Sequence, residues 1–221
     1  MDRVFSQQQR PISDVGHAAI AVRSVNPSQQ HIGVLHREDG VDEVHLLHLA
    51  WHHDLRNHAP GAAYFWVDPN VPSRRMRQVA AICRKVWRSN QGTLPYALSP
   101  PSDCFDQQTG EFLLGPTQHG LTCASFVLAL FETAGLRLAH YETWPTDRPG
   151  DREWQEWVIG QLESGAQPAN SEHIEAVKGE VGTVRCRPED VAGAATVSPL
   201  PADFATAEKR AAGILDRLRG G

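Results

Sequence analysis

The sequence predicts an α+β fold, and three observations carry that prediction. Residues 17–51 hold three short runs rich in Val, Ile and Leu, HAAIAVRSV, HIGVLHRE and VDEVHLLHLAW, separated by NPSQQ and DG. Short β-prone runs punctuated by turn residues read as an antiparallel meander. Beyond them, apolar residues recur at helical spacing in several separate segments.

Taken in order, the meander is followed by a loop from Pro60 to Pro72, where Gly61, Pro69, Asn70 and Pro72 break any regular pattern. A helix then starts beside Pro72 and ends before Gly92, with Met76, Val79, Ala80, Cys83, Val86 and Trp87 as its apolar stripe. Residues 92–120 carry Pro95, Pro100, Pro101, Gly110, Gly115 and Pro116, and are expected to lie over the surface, where they can shape a site. TCASFVLALFETAG predicts a buried central helix: Thr122 is the N-cap, Phe126, Val127, Leu130, Phe131 and Ala134 face the core, and Gly135 ends it. Asp151 to Glu163 forms a short amphipathic helix with Trp154, Trp157, Val158 and Leu162 inward, and Asp203 to Arg219 forms the last one. Between these two, VGTVRCR is expected as a strand.

The chain has 221 residues, enough for one domain with elaborations at roughly 100–200 residues per domain. No apolar run is long enough to cross a bilayer, and the formal net charge of -5 gives no general reason to expect nucleic acid as a partner. Four scattered cysteines without CxxC spacing argue for reduced thiols rather than a disulfide scaffold or a zinc site. The opening MDRVFSQQQRPISD lacks the marks of a signal peptide, so a cytoplasmic protein is expected; a specialised secretion route would leave no such mark. Histidine is the anomaly: eight of the eleven fall between His17 and His58.

Cys123 stands at the first turn of the predicted central helix, where unpaired N–H groups and the helix dipole favour a thiolate, the nucleophile of acyl-transfer chemistry. A cysteine there can equally be a plain core residue, so a partner base must decide. The DG loop is a two-residue type I′ hairpin signal that pairs Glu38 with Val41 and, carried along both strands, His31 with His48. Two imidazoles directly opposite on one face, with Cβ atoms about 4.5 to 5.5 Å apart, could serve as proton acceptor and orienting residue.

HIGVLHREDG followed by LLHLA, and later TCASFVLALFETAG, resembles the circularly permuted papain-like hydrolases, which include NlpC-type and lecithin retinol acyltransferase-like families. The resemblance covers roughly residues 16 to 50 and 117 to 135, and extends weakly to CRPEDVAGA. It implies a permuted papain-like α+β fold and an activity without cofactor or metal, in which Cys123 is the nucleophile, His31 the general base and His48 the orienting residue. Residues 1–221 would then form one catalytic domain, with an elaborating insertion around 60–120 and a C-terminal helical extension. Two departures stand out: Gly16 is followed by His17 where these families usually show Asp, and the segment from Pro60 to Gly120 matches nothing in them.

The expected reaction is cleavage of an amide, ester or thioester bond through an acyl-enzyme, with acyl transfer to another acceptor, or a non-catalytic scaffold, as the alternatives. The substrate is open between a peptide, a peptidoglycan fragment, a lipid and a protein conjugate. His17, on GHAAIAV, competes for the role of base and could pair with His36, but the proline of NPSQQ argues against a tight hairpin there. Gln118, five residues before Cys123, matches a papain-like oxyanion donor in spacing, and an exposed loop glutamine equally well. His45, His52, His53 and His58 complete no recognisable metal spacing. The helix over 73–90 carries Arg74, Arg75, Arg77, Arg84, Lys85 and Arg88 with no acid, so it could meet an anionic partner.

Overall fold

The structure is a computed structural model that describes residues 3–38, 40–98, 102–115, 119–165 and 168–220. Its frame is a six-stranded antiparallel sheet: β1 (Val4–Phe5), β2 (Ala18–Asn26), β3 (Gln29–His36), β4 (His45–Trp51), β5 (Asp54–His58) and β6 (Phe65–Val67), in the order β1-β6-β2-β3-β4-β5. Among the described residues six α-helices accompany it: α1 (Ser73–Ser89), α2 (Cys123–Thr133), α3 (Asp151–Ser164), α4 (Ser171–Lys178), α5 (Pro188–Ala194) and α6 (Phe204–Gly220). The fold is α+β, and among the described residues no helix is long and apolar enough to cross a membrane.

The two hairpins of the meander reverse their expected characters. At NPSQQ the turn is tight: Asn26 pairs with Gln29 across Pro27 and Ser28, helped by the Asn26 Oδ1 that accepts the Ser28 N–H at 3.0 Å. Proline suits a turn's first central position, and a bulge between Ser24 and Asn26 absorbs the mismatch. That register sets Ala18 against His36, so His17 falls opposite Arg37. The DG hairpin is the loose one. The Glu38 carbonyl accepts the Val41 N–H at 3.1 Å, yet the β3–β4 ladder runs only from His36↔His45 to Val34↔Leu47, two residues out of the predicted register. The reason lies in what each register buries. The observed one places Leu47 against Val34 and Leu46 against Leu35, all fully buried, where the predicted one would set His45 against Val34.

Both faces of the central strands are covered. Ile20, Val22, Ile32, Val34, Leu47, Leu49 and Val67 pack with residues of α1 and α2 in the main core, while Ala19, Ala21, Leu35, Leu46 and Trp66 form a smaller cluster with Ile12, Val15, Val44 and Tyr64 on the other face. Helix α2 is buried from Cys123 to Phe131, which explains why its sequence is apolar almost all round. Residues 94–98 are not a surface loop: Leu94 and Ala97 are fully buried, with Tyr96 and Leu98 nearly so, and they run under the core beside α2. Residues 181–187 form a turn and extended backbone without a ladder, so no strand arises there. Trp157, expected inward, is 46 % exposed.

Candidate active site

The residues picked out for chemistry converge on one cavity of about 510 Å³, lined by Cys123, His31 and His48 together. Helix α2 delivers the sulfur. Thr122 Oγ1 accepts the Ser125 N–H at 3.1 Å and Ser125 Oγ accepts the Thr122 N–H at 2.8 Å, a reciprocal cap that sets the helix start at Cys123. The thiol sits by the backbone N–H of Ile32, on the stretch of β3 that has already parted from β4.

Strands deliver the imidazoles. In the observed register His48 stands across from Gly33, and a Cβ on Gly33 would come 2.7 Å from His48 Cβ and 2.8 Å from the Leu47 carbonyl oxygen. Glycine leaves that space empty, and the His48 ring leans diagonally to His31: His31 Nε2 and His48 Nδ1 are 2.7 Å apart, with the rings edge to face. A third imidazole extends the line. His48 Nε2 lies 3.0 Å from His58 Nε2, and His58 Nδ1 lies 2.8 Å from the Ala59 carbonyl oxygen.

That carbonyl can only accept, so in the neutral chain His58 Nδ1 carries its proton and His58 Nε2 accepts one. His48 Nε2 must then donate, its Nδ1 accept, and His31 Nε2 donate. The one lone pair left over is on His31 Nδ1, which is the atom a general base needs.

Electrostatics differ from the expectation for Cys123. Burial pushes its thiol up to about 11, against the smaller opposing effects of the Ile32 N–H and the Arg185 guanidinium. The helix start therefore does not make a thiolate, because removing the sulfur from water outweighs the field of the first turn. Burial also holds His31 down to about 4 and His48 to about 3, with Arg23 and Arg56 contributing to both. The resting pair is a neutral thiol and a neutral imidazole, and no hydrogen bond joins Cys123 Sγ to His31, whose Nε2 is taken by His48.

Other expectations resolve by position. His17 lies at the His36 end of the sheet, away from the cavity wall. Gln118 falls outside the described residues. His52 is a clamp: its Nδ1 accepts the Tyr96 N–H at 3.2 Å while His173 Nε2 donates to the Tyr96 carbonyl at 2.8 Å, and these two bonds hold the Tyr96 ring in the cavity wall. His45 faces Glu43 at 3.6 Å and stacks on His36. Among the described residues no group of three or more His, Cys, Asp or Glu could hold a metal ion. On α1, Arg84 and Lys85 donate to the Arg37 and Gln107 carbonyls and so tie the helix to neighbouring loops.

Sequence reasoning missed Arg23, Arg56, Arg185, Tyr96 and the Trp51–Trp154–Trp157 wall, and it weighed His58 only as a metal ligand. Strand parity was the available signal for two of them: Arg23 pairs with His31, and Arg56 with His48. Searches against protein-family models, curated proteins and solved structures return no match for this chain.

Proposed function

We propose that the chain is a cysteine hydrolase of the permuted papain-like type, cleaving an amide, ester or thioester through an acyl-enzyme on Cys123. The observation that carries the reading is the meeting, in one cavity, of a cysteine at a helix start with a hydrogen-bonded imidazole line whose free lone pair is on His31. The order of elements, with the histidine-bearing antiparallel sheet first and the cysteine helix later, agrees with the resemblance noted above.

The mechanism follows from two neutral partners. As Cys123 Sγ bonds to the substrate carbonyl carbon, its proton passes to His31 Nδ1, so charge is separated only as the transition state forms. The resting structure makes no Sγ–Nδ1 hydrogen bond, and the reaction requires that the two atoms come within hydrogen-bond reach once substrate is in place. His48 and His58 stabilise the His31 imidazolium by accepting along the line. The imidazolium then protonates the leaving group, the carbonyl re-forms as the thioester, and a water activated by His31 releases the acid.

The test is mass spectrometry of the full chain after brief exposure to a panel of acyl p-nitrophenyl esters and p-nitroanilides. A single acyl adduct mapped to Cys123, absent from Cys123→Ala, supports the reading; turnover retained in Cys123→Ala refutes it. Product analysis with added amines and alcohols separates hydrolysis from acyl transfer. A scaffold role, which the protonated thiol favours, requires that no member of the panel acylates the protein.

A further inference from the structure

The wall of the cavity holds more positive than negative charge, although the chain as a whole carries a formal net charge of -5. Three guanidinium groups line it, from Arg23, Arg56 and Arg185, and among the described residues Asp54 is the one carboxylate on that wall. Asp54 is occupied by Arg56, with Nη2–Oδ2 at 2.5 Å and Nε–Oδ1 at 2.9 Å. Arg185 pairs with Asp151 at 3.1 Å and lies over the Trp154 ring at 3.8 Å. Arg23 is the exception. Its guanidinium lies over the Tyr64 ring at 5.3 Å and hydrogen-bonds the Tyr64 hydroxyl, its Nε is buried with no hydrogen-bond partner, and among the described residues no carboxylate pairs with it.

A guanidinium keeps its charge at any physiological pH and presents a planar fork that fits the two oxygens of a carboxylate or phosphate. Half-buried with a phenol but no carboxylate beside it, Arg23 leaves most of its donors for oxygens brought into the cavity. The other wall shows what else enters: Trp51 packs 4.6 Å from Tyr96 and 6.5 Å from Trp157, an aromatic surface left partly open to solvent. We propose that the cavity takes an acyl donor bearing an oxyanion group, a carboxylate or a phosphate ester, which Arg23 binds with Arg56 beside it while the apolar part lies on the tryptophan wall. The word acyl rests on the hydrolase reading, and the oxyanion does not. Binding also primes the base: an oxyanion between Arg23 and Arg56 offsets the two charges that disfavour protonation of His31, so the substrate itself makes His31 a better proton acceptor.

The test is equilibrium binding to full-length Cys123→Ala, followed by tryptophan fluorescence, of three ligands with one skeleton: hippurate, its phosphonate counterpart and the uncharged hippuramide. At least one anion should bind about tenfold tighter than hippuramide, the worth of a charge-assisted hydrogen bond. That preference should weaken with salt and vanish in Cys123→Ala/Arg23→Gln, whose far-ultraviolet circular dichroism and urea midpoint report an intact fold. Should Arg23→Gln not fold, Arg23→Lys, which keeps the charge and loses the fork, must still lower the preference. The better of the two anions identifies the group. Equal binding of all three ligands, no saturation by either anion below about 10 mM, or a preference untouched by the Arg23 variants overturns the proposal. Since the thiol is absent, anion binding without acyl-enzyme formation in the wild type would keep this inference and remove the hydrolase reading, and acylation without anion preference would do the reverse.

Discussion

His31 and His48 are two residues out of register across the β3–β4 gap, and their ring nitrogens are nevertheless 2.7 Å apart. The same diagonal step repeats on the next strand pair, where His58 stands opposite Leu46 and bonds to His48 at 3.0 Å. Sheet twist and long side chains bring such diagonal neighbours within reach, and three strands thus contribute one imidazole each to a continuous line.

Gly33 makes the first diagonal possible. Gly33→Ala would thrust a Cβ to 2.7 Å from His48 Cβ and 2.8 Å from a backbone carbonyl that cannot retreat. Denaturant unfolding should show a loss of about 1–3 kcal/mol, the usual cost of overpacking a core, together with loss of turnover. Wild-type stability with full activity would show that the His48 ring has room to spare.

The three histidines should differ in cost. His31→Ala should reduce kcat/KM nearly as far as Cys123→Ala, since members of a catalytic unit fail together. His48→Ala should cost less, because water can partly replace an orienting group. His58→Ala should cost least, about tenfold or below, because within the line His58 reaches His48 and not His31, and its effect is on the proton placement that leaves His31 Nδ1 free. His58→Gln, which can still accept from His48 Nε2, should recover most of that loss, and failure to do so would indicate that the third ring is not part of the line.

Alkylation of Cys123 should be slow at neutral pH. With the thiol pushed up to about 11, the thiolate fraction lies below that of a free cysteine near 8.5, and the iodoacetamide rate should keep climbing through pH 10. Rates against pH, read on the Cys123 peptide, check this. A plateau at pH 6 to 7 that disappears in His31→Ala would reveal a thiolate–imidazolium pair in place of the neutral one.

Acid should unfold the protein early. His31, His36 and His52 are held at about 4 and His48 at about 3, mainly by burial, whereas in the unfolded chain they return to about 6.5. Each folded value is depressed, so the unfolded state binds more protons between those limits. Stability is then full above about pH 6.5 and is lost as the pH falls toward 4. Each pH unit over which one imidazole takes up its proton on unfolding costs about 1.4 kcal/mol, against a usual domain stability of about 5–15 kcal/mol. Urea midpoints at pH 7 and pH 5 should differ clearly, and midpoints that coincide would contradict the depressed values.

Some of this was determined by the order of residues alone. A strand has a period of two, so any even slip keeps His31 and His48 on one face; their shared face was legible even though the predicted register was wrong by two. The apolar α2, its Thr122 cap and Cys123 at its start were equally legible, because capping and helical periodicity are local. The short strands β1, β5 and β6 were not, since two to five residues carry too little pattern and exist only through their partners. Tertiary structure alone decided which hairpin is tight, by which leucines the core takes in. It drew residues 94–98 inward and set Arg23 beside His31 across β2 and β3. It also decided the protonation state of Cys123, because the pull of a helix start can be read from sequence, while the loss of water that outweighs it depends on every element that closes over the sulfur.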